Sequence, residues 1–251
     1  RIKRTGFDTV APATVVSSEF IEMRGFDNAA QALNELPSFG IPGASNNGGQ
    51  NSQNIGQNFV NAFGLGSQRT LTLINGRRTV SQSSVTALGP GIAGAGLQVD
   101  LNTIPTALIE RVETVFTGGA PIYGSDAIAG VINFVLNDAS EGGALEVRYG
   151  EYFEGDGDAT QISGNIGLPL TDNGFFNASF QAKESDATSR SQQVTAASSM
   201  VAGGNTFIED PAQIWGSPDV TDDISIFINT GLDLGNDKEA YLFGNYSERD
   251  V

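Results

Sequence analysis

From residue 144 onward, apolar and polar residues alternate in five separate runs. In 144–153, Leu145, Val147 and Tyr149 alternate with Glu146 and Arg148. In 161–170, Ile162, Ile166, Leu168 and Leu170 alternate with Gln161, Ser163 and Asn165. In 175–184, Phe176, Ala178 and Phe180 alternate with Asn177, Ser179 and Gln181. In 224–234, Ile224, Ile226, Ile228, Leu232 and Leu234 alternate with Ser225, Asn229 and Asp233, and Phe227 breaks the pattern. Residues 240–249 continue in kind with less clean faces. A period of two predicts strands with one apolar and one polar face. A strand of about ten residues is roughly 33 Å long, or about 23 Å high when tilted by about 45°. That height suits the apolar band of an outer-membrane barrel, about 25 Å tall, although a soluble sandwich alternates in the same way. The connections 171–174 and 235–239 are tight and fall on one side of such a sheet; 185–223 is long and falls on the other. Tyr149, Tyr152, Phe153, Phe175 and Phe176 gather near strand ends, as in an interfacial girdle.

Before residue 140 the pattern is mixed. Residues 14–16 read as a strand, and Ser17 or Ser18 caps a short helix through Met23 that Gly25 ends. Asp27 reads as the cap of a second helix carrying Ala29, Ala32, Leu33 and Leu36, stopped by Pro37. The Asn/Gln/Gly-rich stretch 43–58 has no hydrophobic period and reads as a loop. Residues 70–74 and 77–80 read as a hairpin around Asn75-Gly76, a pair suited to the positive φ angles of a tight turn. Ile104, Leu108 and Val112 recur at every fourth position, which predicts a short helix before a strand over 112–116.

Composition removes several chemistries. The chain has no cysteine and no histidine, so disulfides, thiolate metal sites and histidine-based triads are excluded. No run approaches the roughly 18 apolar residues of a membrane-spanning helix, so a membrane role would require strands. The net charge is −16, and 19 of the 29 carboxylates fall after residue 140 against 5 of the 13 basic residues. Nucleic-acid binding needs a basic face and is disfavoured. "GPGIAG" (89–94) has the literal spacing of a dinucleotide-binding loop, but no helix follows to receive a phosphate. Paired carboxylates such as Asp156/Asp158 and Asp222/Asp223 lack a predicted rigid pocket and an orienting partner, so no catalytic or metal-binding residue is assigned.

"RTLTLINGRR" (69–78) followed by "LNTIPTALIERVETVFTGGAPIYGSDAIAGVINFVL" (101–136) resembles the plug domain of TonB-dependent outer-membrane receptors. The likeness extends over most of 10–138, including "TVVSSEFIEMRGFDNAAQALNELPSF". Ala129 stands where that family often has glycine, Asn75 where aspartate is commoner, and 43–58 and 89–96 are longer than in compact plugs. The resemblance implies an α+β plug, a small mixed sheet with short helices, over 1–140. Antiparallel strands over 141–251 would then be about the first five strands of an incomplete transmembrane β-barrel.

The resemblance also implies roles. Gly118, Gly119, Tyr123, Gly124, Ser125, Asp126, Gly130 and Asn133 form the plug's structural motif. Its glycines allow tight turns, Ser125 caps a single helical turn at Asp126–Ala129, and strand 131–136 lies at the centre of the plug sheet. Asn75, Gly76, Arg77 and Arg78 make a plug turn, with both arginines candidates for ligand contact. Arg69, Glu110, Arg111 and Glu113 are candidates for plug–barrel salt bridges. The implied activity is energy-coupled import of a scarce nutrient, of iron–siderophore, cobalamin or glycan type, across the bacterial outer membrane. The implied partners are a TonB-type energy-transducing periplasmic protein, an extracellular small-molecule or glycan substrate, and outer-membrane lipid; no cofactor and no nucleic acid are called for. The competing reading is a plug-like binding or signalling module without transport. Plugged barrels have about 22 strands, so five strands lead to the expectation of a piece of a longer receptor.

Overall fold

A computed structural model describes residues 13–26, 28–39, 57–84, 96–116, 123–212 and 216–251. The calls on 43–56, 85–95, Gly118 and Gly119 lie outside the described residues.

The first half builds a small mixed sheet. Strand β1 (Ala13–Ser17) leads into helix α1 (Ser18–Arg24), where Ser17 Oγ accepts from Phe20 N at 3.3 Å and Gly25 closes the helix at φ 67°. Helix α2 (Ala29–Asn34) starts from Asn28, whose Oδ1 accepts from Gln31 N at 3.1 Å. The cap is therefore Asn28 rather than Asp27, because only position 28 stands three residues before that free N–H. Strands β2 (Thr70–Ile74) and β3 (Arg77–Arg78) form the expected hairpin, with Asn75 at φ 48° and Gly76 at φ 75°. Short strands β4 (Gln82–Ser84) and β5 (Gly96–Gln98) pair with each other.

The helix predicted from Ile104, Leu108 and Val112 does not form. Two 3-10 turns, Leu101–Thr103 and Thr106–Leu108, run directly into strand β6 (Ile109–Val115). β-Branched Ile109, Val112, Thr114 and Val115 favour the extended chain, and β6 pairs on both sides. Strand β7 (Gly130–Leu136) is central in the order β1-β6-β7-β2-β3, as expected, and pairs parallel with β2. Its Ile132, Phe134 and Leu136 join Leu33, Leu101, Leu108 and Val112 in the plug core.

Five strands then follow in simple antiparallel succession: β8 (Gly143–Gly150), β9 (Ala159–Thr171), β10 (Gly174–Ser185), β11 (Val220–Gly235) and β12 (Lys238–Asp250). Two-residue turns join β9 to β10 and β11 to β12, the latter with Asn236 and Asp237 at φ 52° and 58°. The two longer connections sit at the opposite end; the second contains helix α3 (Thr195–Ala202).

This wall is inside out relative to a soluble sheet. Ile162, Ile166, Leu168, Ile224, Ile226 and Leu242 are exposed, whereas Gln161, Ser163, Asn177, Gln181, Ser225 and Asn229 are buried. The buried polar rows face the plug. Phe227, the residue that broke the alternation, lies on this inner face and packs into the plug core, its ring stacked on Phe243 at 6.1 Å. No helix among the described residues is long and apolar enough to cross a membrane; the apolar outer face belongs to strands.

At Gly130 the plug sheet leaves no room for a side chain. Its φ is 150°, and an added Cβ would lie 2.9 Å from Phe116 Cδ1 and 3.0 Å from Val115 O. Gly130→Ala should therefore lower stability by about 1–3 kcal/mol, read as a shift of the urea midpoint at constant slope.

Candidate functional site

The residues singled out in the plug gather in two groups at opposite ends of the β2–β7 pair. Asn75 extends the β2–β7 pairing past its last strand residue: its N–H donates to Phe134 O at 2.8 Å and its Oδ1 accepts from Leu136 N at 3.0 Å. Gly76 N donates to Asn133 Oδ1 at 2.7 Å, and Asn133 Nδ2 donates to Glu113 Oε2 at 3.2 Å. The other Glu113 oxygen accepts from Arg111 Nε at 2.9 Å, and Arg111 also donates to Glu110 at 2.7 Å. Asn133 thus ties the turn to the carboxylate ladder of β6.

A second knot holds the small-residue motif. Arg78 pairs with Asp126 and donates to Tyr123 O at 2.8 Å. Gly124, at φ 96°, takes the cap position, and the 3-10 turn runs Ser125–Ala127, one residue earlier than the turn expected at Asp126–Ala129. Arg69 accepts Ala129 N on its backbone oxygen at 2.9 Å, and its guanidinium donates to Leu65 O.

Two groups of the expected site residues find their partners locally. The salt bridges expected from Arg69, Glu110, Arg111 and Glu113 do not reach these five strands, because Arg111 is satisfied by its own strand neighbours and Arg69 by a nearby carbonyl. Arg77 and Arg78 do not point toward the long connections. Arg77 lies over the ring of Tyr241 at 5.1 Å, near the two-residue turn between β11 and β12, and Arg78 is held by Asp126.

What joins plug and wall is a seam of neutral amides. Asn75 Nδ2 donates to Tyr241 OH, which donates to Asn229 Oδ1 at 2.5 Å, and Asn229 Nδ2 donates to Asn137 O at 2.8 Å. Farther along, Asn137 Nδ2 reaches Asn165 Oδ1 at 3.4 Å, and Asn177 Nδ2 reaches Ala139 O at 3.3 Å. Arg148 of β8 donates to Phe26 O at 2.8 Å. Sequence reasoning missed Tyr241, Asn229, Asn165 and Asn177 as contact residues. Their signal was present: they are the polar members of the alternating strands.

At the opposite end the two long connections grip each other. Arg190 pairs with Asp156 at 2.5 Å and with Glu154 at 3.4 Å, and lies over the Tyr152 ring. Ser189 N donates to Asp156 across the two, and Thr188 N donates to Ser217 O within the second connection. The hydrogen bond from Arg190 holds the Asp156 carboxyl below its ordinary pKa. Between plug and wall on this side, Asp100 accepts from Asn58 N at 2.9 Å and Asn102 N at 3.1 Å. Burial raises its pKa, against the lowering by those two amides.

Comparison with known proteins fits this geometry. The TonB-dependent Receptor Plug Domain family matches residues 5–131. The iron-regulated outer membrane virulence protein of Vibrio cholerae is 35% identical over 128 residues, 50% of this chain and 17% of that protein. A vitamin B12 transporter of Vibrio vulnificus is 31% identical over 145 residues, 57% of this chain and 21% of the transporter. Among solved structures, the ferric enterobactin receptor of Pseudomonas aeruginosa superposes with a TM-score of 0.72 at 20% identity, over 94% of this chain and 33% of that one. The chain therefore spans about a third of that solved receptor and a smaller share of the curated relatives.

Two outcomes are expected from the seam and the loops. Asn229→Ala takes the acceptor from the Tyr241 O–H and the side-chain donor from Asn137 O, and should cost about 1–3 kcal/mol, read by denaturant unfolding. The Asp156 pKa is depressed, so its contribution to loop order is complete above its ordinary value of 3.8 and is lost as pH falls through the lower folded value. Hydrogen exchange at Ser189, corrected for intrinsic rate, should show constant protection at neutral pH and a loss under strong acid. Arg190→Ala should remove that protection at every pH.

Proposed function

The chain belongs to the TonB-dependent receptor family through its plug domain, and on that premise we propose that it carries out energy-coupled import of a scarce nutrient. Its place is the bacterial outer membrane. Residues 1–140 act as the plug and 141–251 as the first five strands of the wall around it. The observation that carries this reading is the inverted sheet: apolar rows outward, polar rows inward against a plug held mainly by neutral hydrogen bonds.

Such a seam suits a plug that must be displaced. Neutral amides that part from each other can take water instead, so each contact contributes only about 0.5–1.5 kcal/mol net. The Asn75 turn sits at the short-turn end, on the side where the family's periplasmic partner acts. A pull on the plug from that side would break Asn75–Tyr241 early. No step requires catalysis, and two of the named similar proteins are a transporter and a receptor. The transported compound belongs to the extracellular side, the side of the long connections.

The test uses the absence of cysteine from the chain. Cells producing the protein in their outer membrane would be offered labelled ferric siderophores, cyanocobalamin and neutral oligosaccharides. At least one should accumulate, and a protonophore should abolish its uptake. Asn75→Cys combined with Tyr241→Cys, bridged by a short cleavable bis-thiol reagent, should reduce uptake to the de-energised level, and cleavage should restore it. Accumulation of none, or uptake indifferent to both treatments, would overturn import and favour a binding module.

A further inference from the structure

The Asn75-Gly76 turn carries a latent covalent reaction. In a chain free to move, the nitrogen of a glycine that follows asparagine attacks the asparagine Cγ readily, because glycine has no Cβ to obstruct the approach. The new N–Cγ bond forms, the Cγ–Nδ2 bond breaks, and ammonia leaves with the proton that the backbone nitrogen gave up through solvent. Water then opens the five-membered imide at either C–N bond, its hydroxyl going to the carbonyl carbon and its proton to the nitrogen. The product is aspartate, or isoaspartate with the backbone rerouted through the side chain. Nothing is oxidised or reduced.

In the folded protein both reacting groups are occupied. Gly76 N, the nucleophile once its proton is lost, donates that proton to Asn133 Oδ1 at 2.7 Å. The Asn75 carboxamide is held at both ends: its Oδ1 accepts from Leu136 N at 3.0 Å, and its Nδ2 donates to Tyr241 OH. Swinging Cγ over Gly76 N would break both of those bonds. Asn133 is itself fixed in direction. Its Nδ2 donates to Glu113 Oε2 at 3.2 Å, and an ionised carboxylate can only accept, so Oδ1 is left to face Gly76. Burial plays little part, since Gly76 is exposed and Asn75 only half-buried. The turn between β9 and β10 holds the same dipeptide, Asn173-Gly174, without these ties. Asn173 is exposed there, and its hydrogen bonds among the described residues are made by its backbone, with N donating to Thr171 Oγ1 and O accepting from Asp233 N.

We propose that Asn75 is a deamidation site that the folded plug holds closed, with Asn133 as the residue that withholds the nucleophile. The proposal goes beyond the import reading and stands whether or not the chain transports anything. Conversion would put a carboxylate at position 75 and remove the donor to Tyr241 OH, so it would loosen the seam between plug and wall in one direction only.

The experiment uses the protein purified from outer membranes in detergent, incubated in mildly alkaline buffer with and without enough denaturant to unfold it. Peptide mass spectrometry follows the amide-to-acid mass gain at Asn75 and at Asn173, and isoaspartyl methyltransferase labels the rearranged product. Asn75 should convert at least about tenfold more slowly in the folded protein than in denaturant, the effect of hydrogen bonds that must open first. Asn133→Ala should raise the folded-state rate at Asn75 about tenfold and leave Asn173 unchanged. Tyr241→Phe, on the wall, should raise it by a smaller factor, about threefold, because the Asn133 and Leu136 contacts remain. If Asn133→Ala does not assemble, Tyr241→Phe carries the test alone. Conversion of Asn75 as fast in the folded protein as in denaturant, or none in denaturant, would overturn the proposal. So would variants that leave Asn75 unchanged, or that speed Asn75 and Asn173 alike, the mark of general loosening.

Discussion

The structure turns on the polar inner face of a wall whose outer face is apolar. A strand has a period of two, so placing Ile162, Ile226 and Leu242 outward forces Gln161, Ser225 and Asn229 inward. Buried amides and hydroxyls without partners are costly, about 1–3 kcal/mol each. The plug must therefore offer hydrogen-bonding groups where it meets the wall. It does so with irregular backbone, since carbonyls already committed to a sheet ladder are less available. Asn137 O and Ala139 O lie just past the last plug strand, and Phe26 O lies between two helices. The chain passes from plug to wall at this place, and Gly167 lets it come close: an added Cβ there would sit 2.4 Å from Ala139 O.

One apolar contact is set into this polar seam. Phe227 leaves the wall's alternation to fill part of the plug core, together with Phe243. Burying a phenylalanine side chain is worth about 1.5–3 kcal/mol, more than any one amide hydrogen bond nearby. The two kinds of contact do different work. Phe227 fixes where the plug sits against β11. The amides satisfy the remaining polar rows without adding much resistance to separation, because water can replace each partner.

Much of this was legible in the sequence, and the failures have physical causes. Each of the five strands came from alternation alone, because a residue between lipid-type and polar surroundings has little choice of type. The central place of β7 followed from a run that is apolar but for Asn133, and from the family likeness. The short helix expected from Ile104, Leu108 and Val112 failed because their spacing reported burial, not helicity. All three are buried, reached through two 3-10 turns and a strand. The local pairing of the expected salt-bridge residues was hidden for a related reason. Charge stands out in a sequence, so Arg69 and Arg111 drew attention, but both are satisfied locally. The residues that cross the seam are asparagines and a tyrosine, which no charge pattern singles out.

Asn75 shows how a single atom type directs the seam. An aspartate at this turn could still accept from Leu136 N. Ionised, it could not donate to Tyr241 OH. The tyrosine would then have to turn its only proton toward position 75 and abandon Asn229, whose amide would lose a partner in a site where it is fully buried. With asparagine, donation runs one way from the plug turn through Tyr241 and Asn229 and back to the plug at Asn137 O. Each link depends on the one before it for its orientation. Drawing the turn away from the wall therefore lifts Arg77 off the Tyr241 ring, frees Tyr241 to reorient and loosens Asn229 from Asn137, so that a displacement beginning at β2–β3 reaches the junction between plug and wall through a chain of neutral groups.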